Sequence, residues 1–281
     1  MTEGHIRVQR DGQSATVLLE NPAVHNALSV TMWSRLAATM RELGPDPTVR
    51  VIVLRGAGQR AFSAGADIRE FPQQRTGLAA ALAYDRLVAG ALDAILEAPQ
   101  PVIAVIQGIA VGGGLELAAA CDIRLATSEA RFGLPLGRLG VMPGLAEVRT
   151  LLRILPPGRI VELVLRGELV DASEAAQLGL VTEVVDPADV ERRLQGWIER
   201  LCALSAETVR ATKAVLRLAL GGVTEEDQRY RDLLAEVYES AAYREGVRAF
   251  LEKRIPTFGG TPVQEAGAEA TRQQYGHAGR A

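Results

Sequence analysis

Apolar residues alternate with polar ones at the start of this chain, run unbroken in its middle and recur at helical spacing in its last third. Residues 6–9 and 16–20 flank Asp11-Gly12, a pattern that predicts a β-hairpin. Asn21-Pro22 breaks the second strand. Ser29 then precedes Met32, Leu36, Met40 and Leu43, a spacing that predicts a helix capped by Ser29 and stopped at Gly44-Pro45. Residues 49–54 read as a buried strand ending at Gly56, residues 62–68 as a loop of small side chains, and residues 78–96 as a helix. Pro99 and Pro101 close the linker to a central apolar run, residues 102–106, long enough and β-branched enough for a buried strand. Two short strands follow at 122–126 and 130–133. Beyond a Pro143-Gly144 turn the pattern becomes helical at 148–155, 159–166, 173–178, 190–204, 206–220 and 225–252, with only 180–185 strand-like. The order argues an α/β arrangement with mostly parallel pairing and a helical C-terminal third. The tail from about Gly259 is rich in Gly, Ala, Gln and Thr without periodicity and reads as disordered.

The central run leads into Gly112-Gly113-Gly114-Leu115-Glu116. Good helix formers follow, so these glycines are expected where a strand hands over to a helix N-terminus, with unpartnered N–H groups and the positive end of the dipole. Such a place favours a ligand atom that is, or becomes, negative, and glycine lets that atom approach the backbone. If the Gly113 N–H points at an oxygen, Glu116 stands close enough to move a proton on a neighbouring carbon. A dinucleotide fingerprint needs Gly-x-Gly-x-x-Gly after the first strand, and a phosphate loop needs Gly-Lys-Ser/Thr; neither is present. Glycines that serve only close strand-to-helix packing remain the alternative.

Composition narrows the classes further. With 281 residues, 48% of them hydrophobic, the chain can bury a sizeable core, and a net charge of −3 gives no general pull towards nucleic acid. Two cysteines, Cys121 and Cys202, are too few for a disulfide framework and fit a reducing cytoplasm, with Cys121 read as a buried thiol. Three scattered histidines argue against a metal site, and His25 reads as an exposed or packing residue. The N-terminal residues read as neither a secretory nor a transit segment, and no apolar run approaches the roughly 20 residues of a membrane helix.

An ordered set of motifs spans about residues 5–258: Asn26-Ala27-Leu28, Phe62-Ser-Ala-Gly-Ala-Asp-Ile68, Gly112-Gly-Gly-Leu-Glu116 with Cys121-Asp-Ile123, Phe132-Gly133, Gly140-Val-Met-Pro-Gly144, Leu165-Arg-Gly167 and Glu252-Lys-Arg254. This set resembles the crotonase, or enoyl-CoA hydratase/isomerase, superfamily. The resemblance implies a ββα spiral core over residues 1–200 and a helical trimerisation region over 201–258, assembled as a homotrimer or a dimer of trimers. It also implies an acyl-CoA thioester substrate, CoA being part of that substrate and no further cofactor being needed. The thioester oxygen would accept from the Ala66 and Gly113 N–H groups, an oxyanion hole, with Glu116 as the catalytic acid or base. Ala64, Gly65, Asp67, Ile68, Arg69, Gly112, Leu136 and Lys253 would complete the substrate path.

The family's second acid normally follows Phe-Gly-x-Pro, and here that position holds Leu136. Hydrating a C=C bond needs a proton taken from water and another delivered to carbon, which two carboxyls share most easily. With Leu136 inert, Glu116 does both, or Glu147 or a water stands in. The resemblance thus implies an enoyl-CoA hydratase-like enzyme. Its alternatives are an isomerase, whose double-bond shift needs one base, or other enolate chemistry on an acyl-CoA, and a non-catalytic acyl-CoA-binding protein. Each candidate also has a plainer reading: Glu116 as a cap or ion-pair partner near its helix start, Asp67 as a turn or N-cap residue, which we favour, and Arg69, Lys253 and Arg254 as surface charges rather than CoA-phosphate ligands.

Overall fold

The computed structural model describes residues 4–258, so the tail expected to be disordered lies outside the described residues. Two strands open the chain, β1 (His5–Asp11) and β2 (Ser14–Glu20), paired antiparallel around the Asp11-Gly12 turn. From there the chain writes one pattern three times: a strand in a large sheet, a short strand in a small sheet, then helix. The first turn is β3 (Val51–Gly56), β4 (Ala61–Ser63), α2 (Phe71–Gln74) and α3 (Leu78–Glu97), preceded by α1 (Val30–Leu43). The second is β5 (Val102–Ile106), β6 (Ile109–Val111) and α4 (Gly113–Ala120); the third is β7 (Ile123–Thr127), β8 (Arg131–Gly133), α5 (Leu136–Leu139) and α6 (Leu145–Leu151). After α7 (Pro157–Arg166), β9 (Val170–Asp171) and α8 (Ala172–Leu178), β10 (Glu183–Val185) completes the large sheet.

The large sheet runs β1-β2-β3-β5-β7-β10 and is parallel throughout except for the first pair. The small sheet runs β4-β6-β8-β9, antiparallel only at its last pair. Val51–Leu54 of β3 and all of β5 are buried, which is why both read as unbroken apolar runs rather than alternating ones. Helix α1 packs on α3, and α3 also packs on α4 and α6. Trp33 of α1, Phe62 of β4 and Phe132 of β8 are the largest fully buried side chains of this core. The spiral implied by the resemblance is therefore present.

The described residues divide into two compact units between Leu194 and Gln195, a break that falls inside α9 (Val190–Cys202). The second unit contains α10 (Ala206–Leu220), α11 (Gln228–Tyr238) and α12 (Ala241–Leu251). Among the described residues no helix is long and apolar enough to cross a membrane.

Three sequence expectations need correction. Residues 62–68 are not all loop, because Ala61–Ser63 form β4, too short a strand for alternation to show. The central strand does not itself hand over to the glycine turn. The chain turns at Gln107-Gly108 and inserts β6 first; Gly108 has φ +67°, and a Cβ there would lie 2.0 Å from the Arg60 carbonyl oxygen, so glycine alone fits. Residues 225–252 are not one helix: α11 ends at Tyr238 with Glu239 as its C-cap, and Ser240 caps α12 by accepting from the Tyr243 N–H at 2.9 Å.

One polar residue holds the start of the spiral. Asn26 is buried at 1% exposure, accepts from the Asn21 N–H at 3.0 Å, and donates through Nδ2 to the carbonyls of Ala57 (3.0 Å) and Ala61 (2.8 Å). It thereby ties the segment after β2 to both ends of the β3–β4 connection. Its φ of +55° is a left-handed conformation that asparagine tolerates better than most residues. Asn26→Ala leaves a buried N–H and two carbonyls without these partners and adds backbone strain. The expected loss is about 3 kcal/mol, read as a lowered urea midpoint at unchanged slope.

Candidate active site

The loop after β4 docks alongside residues 25–28. The Ala64 N–H donates to the His25 carbonyl (2.9 Å), the Gly65 N–H to Ser63 Oγ (3.1 Å), and the Asp67 N–H to the Leu28 carbonyl (2.9 Å), while the Leu28 N–H donates back to Gly65 (2.7 Å). Every amide of residues 64–67 is thus engaged except that of Ala66, which has no acceptor among the described residues. Ser63 anchors the loop from below by donating to the Asn26 carbonyl at 2.8 Å.

The second loop arrives from β6. Gly112 takes φ +53° and donates to the Gly133 carbonyl (2.9 Å), so the chain turns abruptly into α4 and the Gly113 N–H becomes the first of that helix. It too has no acceptor among the described residues, as expected of a first-turn amide. The two loops touch at Gly65. A Cβ built there would lie 2.9 Å from the Gly113 nitrogen and 2.6 Å from the Val111 carbonyl oxygen, and its φ is +87°. Gly114 is equally constrained, since a Cβ would meet the Ser63 carbonyl oxygen at 2.2 Å. The glycines therefore serve close packing and an open amide together; the two sequence readings do not exclude each other.

Ala66, Gly113 and Glu116 line one cavity of about 60 Å³, together with Ile68, Gly112 and Leu136. Glu116 is 3% exposed and its carboxyl makes no hydrogen bond among the described residues. Burial first, then the charge of Glu147, push its pKa well above the ordinary glutamate range, against the pull of Arg75. Glu147, 6% exposed, reaches the same cavity from α6, where its Oε2 accepts the Gly144 N–H. Its pKa is also raised by burial, opposed by that hydrogen bond and by Arg75. Leu136 supplies only apolar wall.

The remaining wall is aromatic. Trp33 donates its indole N–H to the Tyr84 hydroxyl at 3.2 Å, and burial pushes the Tyr84 phenol up to about 12. Phe71 meets Tyr84 edge-on, and the Arg75 guanidinium lies 5.2 Å and 5.1 Å from the two ring centres. Arg75 also pairs with Asp85 at 3.4 Å. These positions follow from the α2–α3 elbow, and neither spacing nor composition singled out Arg75 or Tyr84. Glu147 had a signal, a carboxylate three residues after Gly144 at the start of an apolar helix.

Several expected site residues stand elsewhere. Asp67 caps the short turn Ile68–Glu70, accepting from the Arg69 N–H at 3.1 Å, and grips the Arg69 guanidinium through both carboxyl oxygens. That agrees with the N-cap reading and engages the cation considered for CoA phosphate. Ala64 and Gly65 support the floor and do not border the cavity. Lys253 belongs to the second unit, exposed and at φ +55°, and Arg254 there is held by Glu245 and Glu252.

Residues 10–261 match the sequence model of the enoyl-CoA hydratase/isomerase family. The chain is 34% identical to an (E)-benzylidenesuccinyl-CoA hydratase of Thauera aromatica, over 88% of this chain and 95% of that one. It is 30% identical to a crotonyl-CoA hydratase of Syntrophomonas wolfei, over 92% and 99%. Its fold is similar to the crystal structure of an enoyl-CoA hydratase/carnithine racemase from Magnetospirillum magneticum, with a TM-score of 0.84 at 37% identity over 91% of this chain and 96% of that one. With the strand-strand-helix spiral, two open amides and a buried carboxyl on one cavity, the chain belongs to the enoyl-CoA hydratase/isomerase family.

Proposed function

We propose that this protein adds water across the double bond of a 2-enoyl-CoA thioester. One observation carries the reading: the acceptor-free amides of Ala66 and Gly113, from separate loops, border the cavity that holds the carboxyl of Glu116. When a nucleophile adds two carbons from a thioester, negative charge collects on the thioester oxygen. Preorganised N–H donors there are worth roughly 3 to 4 kcal/mol each. Glu116, kept protonated by its surroundings, is placed to exchange a proton with the adjacent carbon. Both relatives described above are named as hydratases. The binding-only reading rested on Leu136, and a second buried carboxyl in the same cavity weakens it.

CoA enters as part of the substrate, with no further cofactor in the reaction. Assembly as a homotrimer or a dimer of trimers fits the large apolar side chains each unit leaves exposed, Leu165 at 79% in the first and Phe250 at 75% in the second. A cytoplasmic location fits a chain whose two cysteines, Cys121 and Cys202, form no disulfide among the described residues.

Purified protein should consume the conjugated absorbance of crotonyl-CoA or of an aryl-substituted enoyl-CoA, and Glu116→Gln should lower kcat by about 10²- to 10⁴-fold. Retention of wild-type turnover by that variant would exclude Glu116 as the acid–base group. Gly65→Ala pushes a methyl group between the two loops and shifts the donors while sparing Glu116; kcat should fall by about 10²-fold, with circular dichroism reporting retained helix. The raised folded-state pKa of Glu116 also has a stability consequence. Its contribution is fully present below the unfolded value and is lost as pH rises through the folded one. Glu116→Gln should therefore melt higher than wild type at about pH 8, the gap closing by about pH 4.

A further inference from the structure

The cavity poses a chemical problem that Leu136 does not answer, and the hydration reading sharpens it. One buried carboxyl cannot comfortably take a proton from water and deliver another to carbon in the same turnover. A second one is nevertheless present. Glu147 sits in the first turn of α6, where a glutamate ordinarily closes a capping box from the helix surface. Here it is buried. Capping occupies Oε2 only; the other oxygen has no hydrogen-bond partner among the described residues, and the side chain lines the same cavity as Glu116. If capping were the whole role, burial beside another acid would be a pure cost, since a glutamine would cap equally without desolvating a charge.

We infer that Glu147 is the acid–base partner of Glu116 in the proposed hydration, supplying from α6 the carboxyl that Leu136 does not supply from α5. The inference rests on the reading given above. The charged groups around the pair fix its division of labour. Arg75 is the only cation among the cavity's lining residues and already pairs with Asp85; Tyr84 is neutral, and Glu70 is turned to the Val30 N–H at 2.8 Å. One guanidinium cannot neutralise Asp85 and two further carboxylates, so the pair retains one proton near neutrality. The Gly144 N–H favours the ionised form of Glu147, whereas Glu116 has no hydrogen-bond donor among the described residues, so the proton rests on Glu116.

The bookkeeping of the step then closes. Ionised Glu147 takes a proton from water as the water oxygen bonds to C3. The C2=C3 electron pair moves towards the thioester oxygen, held by the Ala66 and Gly113 amides. As that charge returns, protonated Glu116 gives its proton to C2. One water is consumed, no oxidation state changes overall, and passage of a proton from Glu147 to Glu116 restores the starting pair.

Glu147→Gln tests this, because glutamine keeps the cap and loses the base. The expected result is a melting temperature at neutral pH no lower than wild type, a KM close to wild type and a kcat lower by about 10²- to 10⁴-fold, with loss of the acidic limb of the pH profile. Adding Leu136→Glu to that variant should restore at least about tenfold of the lost rate. Activity of Glu147→Gln within about twofold of wild type would reduce Glu147 to a helix cap and overturn the inference. If the wild type hydrates no member of an enoyl-CoA panel, the functional reading itself fails. The pairing is then judged without substrate, by the infrared carboxyl band of protonated Glu116: a downward shift of its titration in Glu147→Gln upholds the shared proton, and an unmoved titration overturns it.

Discussion

The docking of residues 64–67 against residues 25–28 is the constraint from which the site follows. Backbone hydrogen bonds between two loops are a matter of complete accounting: a buried N–H without an acceptor costs free energy, so loops arrange themselves to leave few. Here the Ala64, Gly65 and Asp67 amides are satisfied and the Ala66 amide is not. Asn26 enforces that register from beneath, with its two side-chain donors on Ala57 and Ala61. Gly65, pressed against the second loop, brings the Gly113 amide alongside. An open donor pair is thus the residue of an otherwise fully bonded arrangement, and its cost is held by the surrounding scaffold.

The cavity beyond those donors is organised by electrostatics as much as by shape. Its aromatic wall and the aliphatic side chains near Leu136 exclude the water that would solvate a carboxylate, so both acids are driven towards their neutral forms. Arg75, flanked by two rings and paired with Asp85, offsets part of that penalty without forming a direct ion pair with either glutamate among the described contacts. Groups left in this balance are costly to the fold and useful to chemistry, because a small rearrangement of charge on a bound thioester can move a proton between them. The stability forgone at Glu116 and the reactivity it offers have one cause, burial.

The spiral explains how elements far apart in sequence converge. Each passage from the large sheet to the small one ends in a short strand of three residues, β4, β6 and β8, and the site residues follow immediately after each. Ala66 follows β4, Gly113 follows β6, and Leu136 follows β8. Parallel pairing of those strands sets these three segments side by side, as the strand ends of other parallel sheets gather the loops that bind ligands.

Local chemistry was enough to read much of this from the chain. Apolar runs marked β3 and β5 because both faces of those strands are buried. Ser29 and Asp67 announced their caps, and the glycine turn announced a helix N-terminus, because each depends on residues within a few positions. The order of motifs pointed to Ala66, Gly113 and Glu116, and these three border one cavity. The three-residue strands were hidden, since alternation needs more length to show, and so was the break at Ser240 within an otherwise helical stretch. What only the tertiary structure decided was pairing at a distance: which amide of 64–67 lacks an acceptor, that Glu147 rather than position 136 brings a second carboxyl to Glu116, and that Arg75 stands between rings beside them. Hydrogen-bond satisfaction and desolvation belong to pairs and clusters of residues, and a sequence lists those residues without saying which of them meet.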